Sequence, residues 1–341
     1  MSRTVKCALI FGVGGQDGAY LAQLLLAKGY QVHGTSRDIE VSSFAGLKQL
    51  GIHGRVHLHS ANLNEFRSVL QVLRDVAPTE IYNLSAQSSV GLSFGQPIET
   101  VTSIVDATLN VMEAMRFLGG SGQDSGQDSD HYAGRFYNAS SSEMFGDTGT
   151  AAASETTQFH PRSPYGVSKA AAHWLVETYR NAYGLYACSG ILFNHESPLR
   201  KDRFVTQKII RAVVDIHLGG SGPLHLGDIS VSRDWGWAPD YVDAMWRMLQ
   251  QPKPDDFVIA TGRTDKLEDF VRTAFEHFGL DWSKHVVSDQ SLRRPYEIDH
   301  SVGDAGKAAE RLGWRATQKM PQVVALLIEA ELQRRKHGEA A

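Results

Sequence analysis

Residues 5–11 form a short, mostly apolar run, the pattern of a strand buried on both faces. It runs into Gly12-Val13-Gly14-Gly15-Gln16-Asp17-Gly18, then into Tyr20, Leu21, Leu24, Leu25 and Leu26, apolar at helical spacing. The order is strand, glycine turn, helix. A second strand is predicted at Gln31–Ser36, with further strand-like runs at 55–59, 80–84, 135–138 and 186–193. Helical patterns lie between them, over 65–76, 103–118 and 170–183. Such alternation calls for an α/β fold whose parallel sheet is covered on both faces.

From about residue 194 the alternation loosens and tryptophans enter, at Trp235, Trp237, Trp246, Trp282 and Trp314. The chain therefore divides into a first domain, 1–194, and a smaller α/β region, 195–341, with the cleft between them as the expected site. Residues 119–130 are polar, glycine-rich and internally repetitive, the composition of a surface loop.

The glycine turn carries the first chemical signal. Gly12, Gly15 and Gly18 let the backbone turn tightly and approach a pyrophosphate, whose charge is favoured at the N-terminus of the following helix. Gln16 and Asp17 stand in the same turn. At the end of the second strand, an acid would bind the ribose 2′-hydroxyl of NAD, whereas an arginine suits the 2′-phosphate of NADP. Here Ser36 is followed by Arg37, so NADP is the expected cofactor, with Asp38 one step on as a counterweight.

The second signal is Ser140-Ser141-Ser142-Glu143, followed by Tyr165-Gly166-Val167-Ser168-Lys169. A tyrosine and a lysine four apart share one helix face. An ammonium there would favour the phenolate and bring a group of pKa about 10 into use as a base near neutral pH. Ser141 and Glu143 add a hydroxyl and a carboxylate able to meet that phenolate at a substrate carbon. An ordinary amphipathic helix is the competing reading, and the glycine turn upstream favours the chemical one.

Composition narrows the classes. At 341 residues the chain has ample material for a core, and its formal charge of −4 offers no basic surface for nucleic acid. It holds no apolar stretch of membrane-spanning length, and its opening leads directly into a strand, without the pattern of a signal peptide. Cys7 and Cys188 lie in apolar strand-like runs, as reduced core cysteines do. A cytoplasmic enzyme fits. Of fourteen histidines, His57 and His59 alternate along a strand but have no third ligand at metal spacing, and His195-Glu196 lacks the second histidine of a zinc motif. No metal site is expected.

These features resemble the extended short-chain dehydrogenase/reductases, and within them the GDP-mannose 4,6-dehydratases. The resemblance covers nearly the whole chain apart from 119–130. Its most specific blocks are Gly15-Gln16-Asp17-Gly18, Tyr82-Asn83-Leu84 with Ala86-Gln87-Ser88, Pro161-Arg162-Ser163-Pro164-Tyr165-Gly166, Asn194-His195-Glu196-Ser197-Pro198, Arg233-Asp234-Trp235-Gly236 and Arg294-Pro295 with Glu297. It implies a Rossmann-type doubly wound domain with bound NADP, a GDP-sugar substrate held mainly by the C-terminal region, and a homo-oligomer, dimer or tetramer. By the same matches Asn62, Leu63, Leu84, Ala86, Tyr165, Lys169 and His195 join the cofactor set. Gln87, Ser88, Asn194, Lys208, Arg233, Arg294 and Glu297 form the substrate set.

The implied reaction oxidises C4 of the sugar, eliminates water across C5 and C6, and returns hydride to C6. Tyr165 would act at the C4 hydroxyl with Ser141 and Lys169, and Glu143 at C5. The chain departs from the family pattern at Ser141 (usually threonine), Phe11, Gly14, Asp38, Asn62, Lys201 and Gln207. Three other readings share these residues: a 4,6-dehydratase of another sugar nucleotide such as a GDP-heptose, a 4-epimerase or reductase, and a non-enzymatic NADP-binding protein.

Overall fold

The computed structural model describes residues 5–119, 134–336 and 338. The glycine-rich segment 119–130 lies, Gly119 apart, outside the described residues. In chain order the strands of the first half are β1 (Cys7–Phe11), β2 (Gln31–Ser36), β3 (His57–Ser60), β4 (Glu80–Asn83), β5 (Arg135–Ser141) and β6 (Ala187–Leu192). Those of the second half are β7 (Asn194–Glu196), β8 (Leu224–Leu226), β9 (Ser232–Arg233), β10 (Trp235–Trp237), β11 (Phe257–Ile259), β12 (Asp265–Lys266) and β13 (Val286–Ser288). The helices are α1 (Gln16–Ala27), α2 (Ala45–Gln49), α3 (Phe66–Val76), α4 (Val90–Gly95), α5 (Pro97–Val101), α6 (Ala107–Gly119) and α7 (Pro164–Tyr183). They continue with α8 (Val205–His217), α9 (Ala238–Leu249), α10 (Leu267–Glu276), α11 (Gly306–Leu312) and α12 (Met320–Lys336).

Seven strands pair in parallel in the order β11-β6-β5-β4-β1-β2-β3. Strand order reverses between β1 and β4, the place where doubly wound sheets open a ligand crevice at their carboxyl ends. Both faces of β1 are used. Ala8 and Ile10 enter a core built with α1 and α9, while Leu9 and Phe11 enter the opposite one, built with α3, α6 and α7. That two-sided burial is why the strand reads as a continuous apolar run rather than an alternation.

A separate core lies between α8, α10 and α12, formed by Ile209, Ile210, Val213, Phe270, Val323, Leu327 and their neighbours. Short pairs decorate it: β7 with β10, β8 with β13, and β9 antiparallel to β12. The chain crosses residue 194 and then returns, because β11 extends the main sheet beside β6 and α9 packs on α1.

Some element boundaries differ from the sequence expectation. The helix expected over 170–183 begins at Pro164, capped by the Ser163 hydroxyl, which accepts from the Gly166 N–H at 3.0 Å. Its first turns carry polar residues facing a cavity, so apolar periodicity begins only after them. The run at 55–59 starts in a 3₁₀ turn, His53–Arg55, and the strand is displaced to His57–Ser60. The segment 103–118 opens with a π turn, Thr102–Asp106. Among the described residues no helix is long and apolar enough to cross a membrane.

Candidate active site

The carboxyl end of β5 delivers Ser141, and the 3₁₀ turn after it, Ser142–Met144, delivers Glu143. The first two turns of α7 place Tyr165 and Lys169 opposite them. All four line one cavity of about 460 Å³. The turn is held close to the helix: a Cβ added at Gly166 would sit 2.7 Å from the Glu143 carbonyl oxygen. Ser141 Oγ accepts from the Glu143 N–H at 3.3 Å and hydrogen-bonds the Tyr165 hydroxyl.

The electrostatics correct one expectation. Burial pushes Tyr165 up to about 12, against the lowering effect of the Ser141 hydrogen bond, and Glu143 adds to the rise. Lys169 does not offset this. Its Nζ donates to the Ala139 carbonyl at 2.6 Å and lies 5.7 Å from the centroid of the Tyr165 ring, and burial pulls it down to about 8. The shared helix face is present, but desolvation outweighs the pairing of charges. Glu143 is also raised, first by burial, with the Arg233 and Arg294 guanidinium groups opposing the shift. No hydrogen bond or ion pair among the described residues engages its carboxylate.

The proposed cofactor residues surround the first βα turn. The N-cap of α1 is Gly15, with no side-chain cap, so the first N–H groups of the helix remain free for an anion. Gly12 has φ of +84°, and a Cβ at Gly18 would stand 2.4 Å from the Gly12 carbonyl oxygen. The turn therefore closes only with glycine at both places. These features fit a dinucleotide pyrophosphate. Asp17 and His195 form an ion pair at 2.9 Å, and His195 Nδ1 lies 2.7 Å from the Phe193 carbonyl oxygen. Burial disfavours both charges, yet each holds the other charged: His195 is raised and Asp17 lowered. Gln16 joins the same clamp, donating to the His195 carbonyl at 3.2 Å and accepting from Ser197 at 2.8 Å.

Leu84 and Ala86 line the cavity beyond β4. Ser36 ends β2 with its hydroxyl on Ser42, and Arg37 beside it is exposed and forms no ion pair among the described residues. Asn62 spends its side-chain amide on Glu65 at 2.9 Å, and the Leu63 carbonyl accepts from Asn110 at 2.8 Å.

Of the substrate set, Ser88, Asn194, Lys208, Arg233, Arg294 and Glu297 line the cavity. Gln87 does not: its amide turns inward to the Ser89 carbonyl at 2.8 Å and Thr100 Oγ1 at 3.3 Å. Arg233 is buried, donating to the Ser232 and Ile298 carbonyls at 2.9 and 2.7 Å and to Glu297 at 2.7 Å. Arg294 reaches the same Glu297 oxygen at 3.1 Å. The sequence neighbour Asp234, the obvious partner of Arg233 by adjacency, instead accepts from the N–H groups of Thr261 and Gly262 at 2.9 and 3.0 Å. Lys208 donates to the His225 carbonyl at 2.6 Å.

The cavity wall also includes Arg200, Arg203, Asp228 and Trp235, none of which the sequence reading assigned to the site, Trp235 having entered only among the tryptophans and in a motif block. The cluster Arg200-Lys201-Asp202-Arg203 was a readable signal for a basic rim. His57 and His59 meet a third histidine across the strand pair: His33 Nδ1 lies 2.8 Å from His59 Nε2. Those nitrogens face each other, and among the described residues no group of three is placed to hold a metal ion.

A family model described as GDP-mannose 4,6 dehydratase matches residues 9–327. GDP-mannose 4,6 dehydratase 1 of Arabidopsis thaliana is 45% identical over 334 residues, covering 96% of this chain and 90% of its own. The human GDP-mannose 4,6 dehydratase is 39% identical over 358 residues, covering 98% of this chain and 93% of its own. Among solved structures, dTDP-glucose 4,6-dehydratase from Bacillus anthracis, in complex with NAD, superposes with a TM-score of 0.82 at 17% identity. That superposition covers 97% of this chain and 98% of the other, and it shows the shared fold.

Proposed function

The chain belongs to the GDP-mannose 4,6-dehydratase family, and from that premise we propose how its residues divide the work. The enzyme is an NADP-dependent hydro-lyase that converts GDP-mannose to GDP-4-keto-6-deoxymannose. The observation that carries the residue assignment is Glu143, a desolvated and unpartnered carboxylate in the same cavity as Ser141, Tyr165 and Lys169. A 4-epimerase or reductase would leave that carboxylate without work.

Gly12, Gly15, Gln16, Asp17 and Gly18 hold the pyrophosphate of NADP, and Ser36 with Arg37 its 2′-phosphate. Asn62, Leu63, Leu84, Ala86 and His195 border the rest of the cofactor. When bound there, the nicotinamide would supply oxidation at C4 and the matching reduction at C6. Ser141 donates to the C4 oxygen while Tyr165 takes the C4 hydroxyl proton. Burial holds Tyr165 at about 12, so its resting form is the phenol, and it takes the C4 proton only after its own proton has left it. Lys169, pulled down to about 8, is the group on the same helix face whose neutral amine receives that proton.

Once C4 is a ketone, the C5 hydrogen is acidic. Glu143 removes it as a proton and returns a proton to the C6 hydroxyl, which leaves as water. Its raised pKa serves both halves of that exchange. Arg294 presents its guanidinium to the diphosphate, Arg233, whose terminal nitrogens are engaged by Ser232, Ile298 and Glu297, lends its positive charge, and Ser88, Asn194 and Lys208 complete the grip. Gln87 instead braces the loop through the Ser89 carbonyl and Thr100. On this reading residues 1–194 carry the cofactor and the chemistry, 195–341 mainly the sugar nucleotide, in a cytoplasmic, even-numbered homo-oligomer.

The test is incubation of purified protein with NADP and GDP-mannose. A 4-keto product lighter by one water, carrying solvent deuterium at C5 when formed in heavy water, is expected. An epimerised sugar that keeps its C6 hydroxyl overturns the assignment.

A further inference from the structure

Behind the catalytic groups lies a second contact between β5 and α7. Tyr165, Lys169 and His173 are spaced four apart and form one stripe on α7. Each meets the end of β5: Tyr165 at the Ser141 hydroxyl, Lys169 at the Ala139 carbonyl, and His173 at the residue between them. His173 Nδ1 lies 3.2 Å from Ser140 Oγ, with both residues buried. The far side of the imidazole is also built. Its Nε2 faces Asp256 at 3.9 Å, and Phe159 packs edge-on against the ring at 5.1 Å. Asp256 is itself fixed, accepting from Arg180 at 2.9 and 2.7 Å and from the Ser189 N–H at 2.6 Å. Glu177 and Arg180 are the other charged groups near the ring, and burial keeps His173 below its ordinary value, hence neutral.

We propose that His173 is a positioning residue whose bond to Ser140 holds the Ala139–Ser141 strand end in register with α7, setting Lys169 and Ser141 against Tyr165. This rests on the catalytic reading above. Ser140 stands between the carbonyl that receives Lys169 and the hydroxyl that receives Tyr165, so one bond fixes both neighbours. Nothing in the proposed reaction needs His173 to touch substrate or cofactor.

The experiment compares Ser140→Ala, His173→Phe, His173→Asn and the double variant Ser140→Ala/His173→Phe. Geometry errors of about 1 Å at a reacting centre cost on the order of 10²-fold, so Ser140→Ala and His173→Phe should each lose at least ~10-fold in kcat with little change in KM. The double variant should be no worse than the poorer single one, since both remove one bond. His173→Asn should recover most of the loss, because its amide takes the place of Nδ1. A readout without turnover runs beside these: the pH midpoint for acylation of Lys169 by acetic anhydride, read on its peptide by mass. It should lie near 8 in the wild type and move up in Ser140→Ala, as a loosened strand end admits water to the ammonium. Wild-type kcat in Ser140→Ala with an unmoved midpoint overturns the inference, as do losses that multiply in the double variant. A wild type that leaves GDP-mannose untouched refutes the proposed function instead, and the Lys169 midpoint still decides this inference.

Discussion

Replacing Glu143 by Gln should make the protein more stable and nearly inactive. The stability half follows from the direction of its shift. A carboxyl whose folded pKa is raised costs stability once pH passes its ordinary value, and the cost is complete above the folded value. Gln carries no charge to desolvate, so melting temperature should rise at pH 7–8 and the gain should shrink toward pH 4. Each unit of pKa elevation corresponds to about 1.4 kcal/mol, which fixes the scale for converting the gain. The activity half follows from the surroundings. Acid–base groups contribute about 10²–10⁴ in rate, and here the upper half of that range applies because the other described carboxylates lining the cavity, Asp17, Glu196, Asp228 and Glu297, each have a partner. Glu297, whose charge acts on Glu143, is held by Arg233 at 2.7 Å and Arg294 at 3.1 Å. The expected loss of 10³–10⁴ in kcat is roughly 4 to 5.5 kcal/mol of barrier. C4 oxidation needs no carboxylate, so rapid mixing with GDP-mannose should show reduced nicotinamide building up and persisting. Full dehydration by the Gln variant, or a melting temperature lowered at neutral pH, would refute the reasoning.

Tyr165→Phe should lower kcat by at least ~10² while melting temperature and NADP affinity hold, since the ring still packs and only the proton acceptor is lost; near-wild-type turnover would remove it from the mechanism. Arg37→Ala should weaken NADP by about tenfold and leave NAD unchanged, the scale of one charged hydrogen bond to a 2′-phosphate. Titration of both nucleotides reads it, and equal losses for the two would exclude that contact. Gly18→Ala forces a Cβ to within 2.4 Å of the Gly12 oxygen and 2.7 Å of Val13 Cα. Both neighbours are backbone, so overpacking should cost about 1–3 kcal/mol in denaturant unfolding and weaken NADP. His33 is held at about 4 by burial and by the nearby His59 and His57, below its ordinary 6.5. The unfolded chain therefore binds a proton first as pH falls, and stability is lost between about 6.5 and 4. Melting curves of His33→Gln should fall less steeply over that window; parallel curves would show the cluster has no such effect.

The parts of this protein legible in the sequence are those set by near neighbours. The apolar run of β1, the glycine turn and the helical spacing of α1 needed only local sterics and a two-sided core. The four-residue spacing of Tyr165 and Lys169 likewise put both on one helix face. What the tertiary structure decided depends on chain segments far apart. Arg233 pairs with Glu297, 64 residues on, while its neighbour Asp234 serves the turn at Thr261. His33 joins His57 and His59 only through the register of β2 on β3. Gln87 turns away from the cavity because Ser89 and Thr100 offer it partners. The direction of the Tyr165 shift belongs here too, since desolvation is the sum over everything packed around a group, and sequence spacing counts only the charge nearest along the helix.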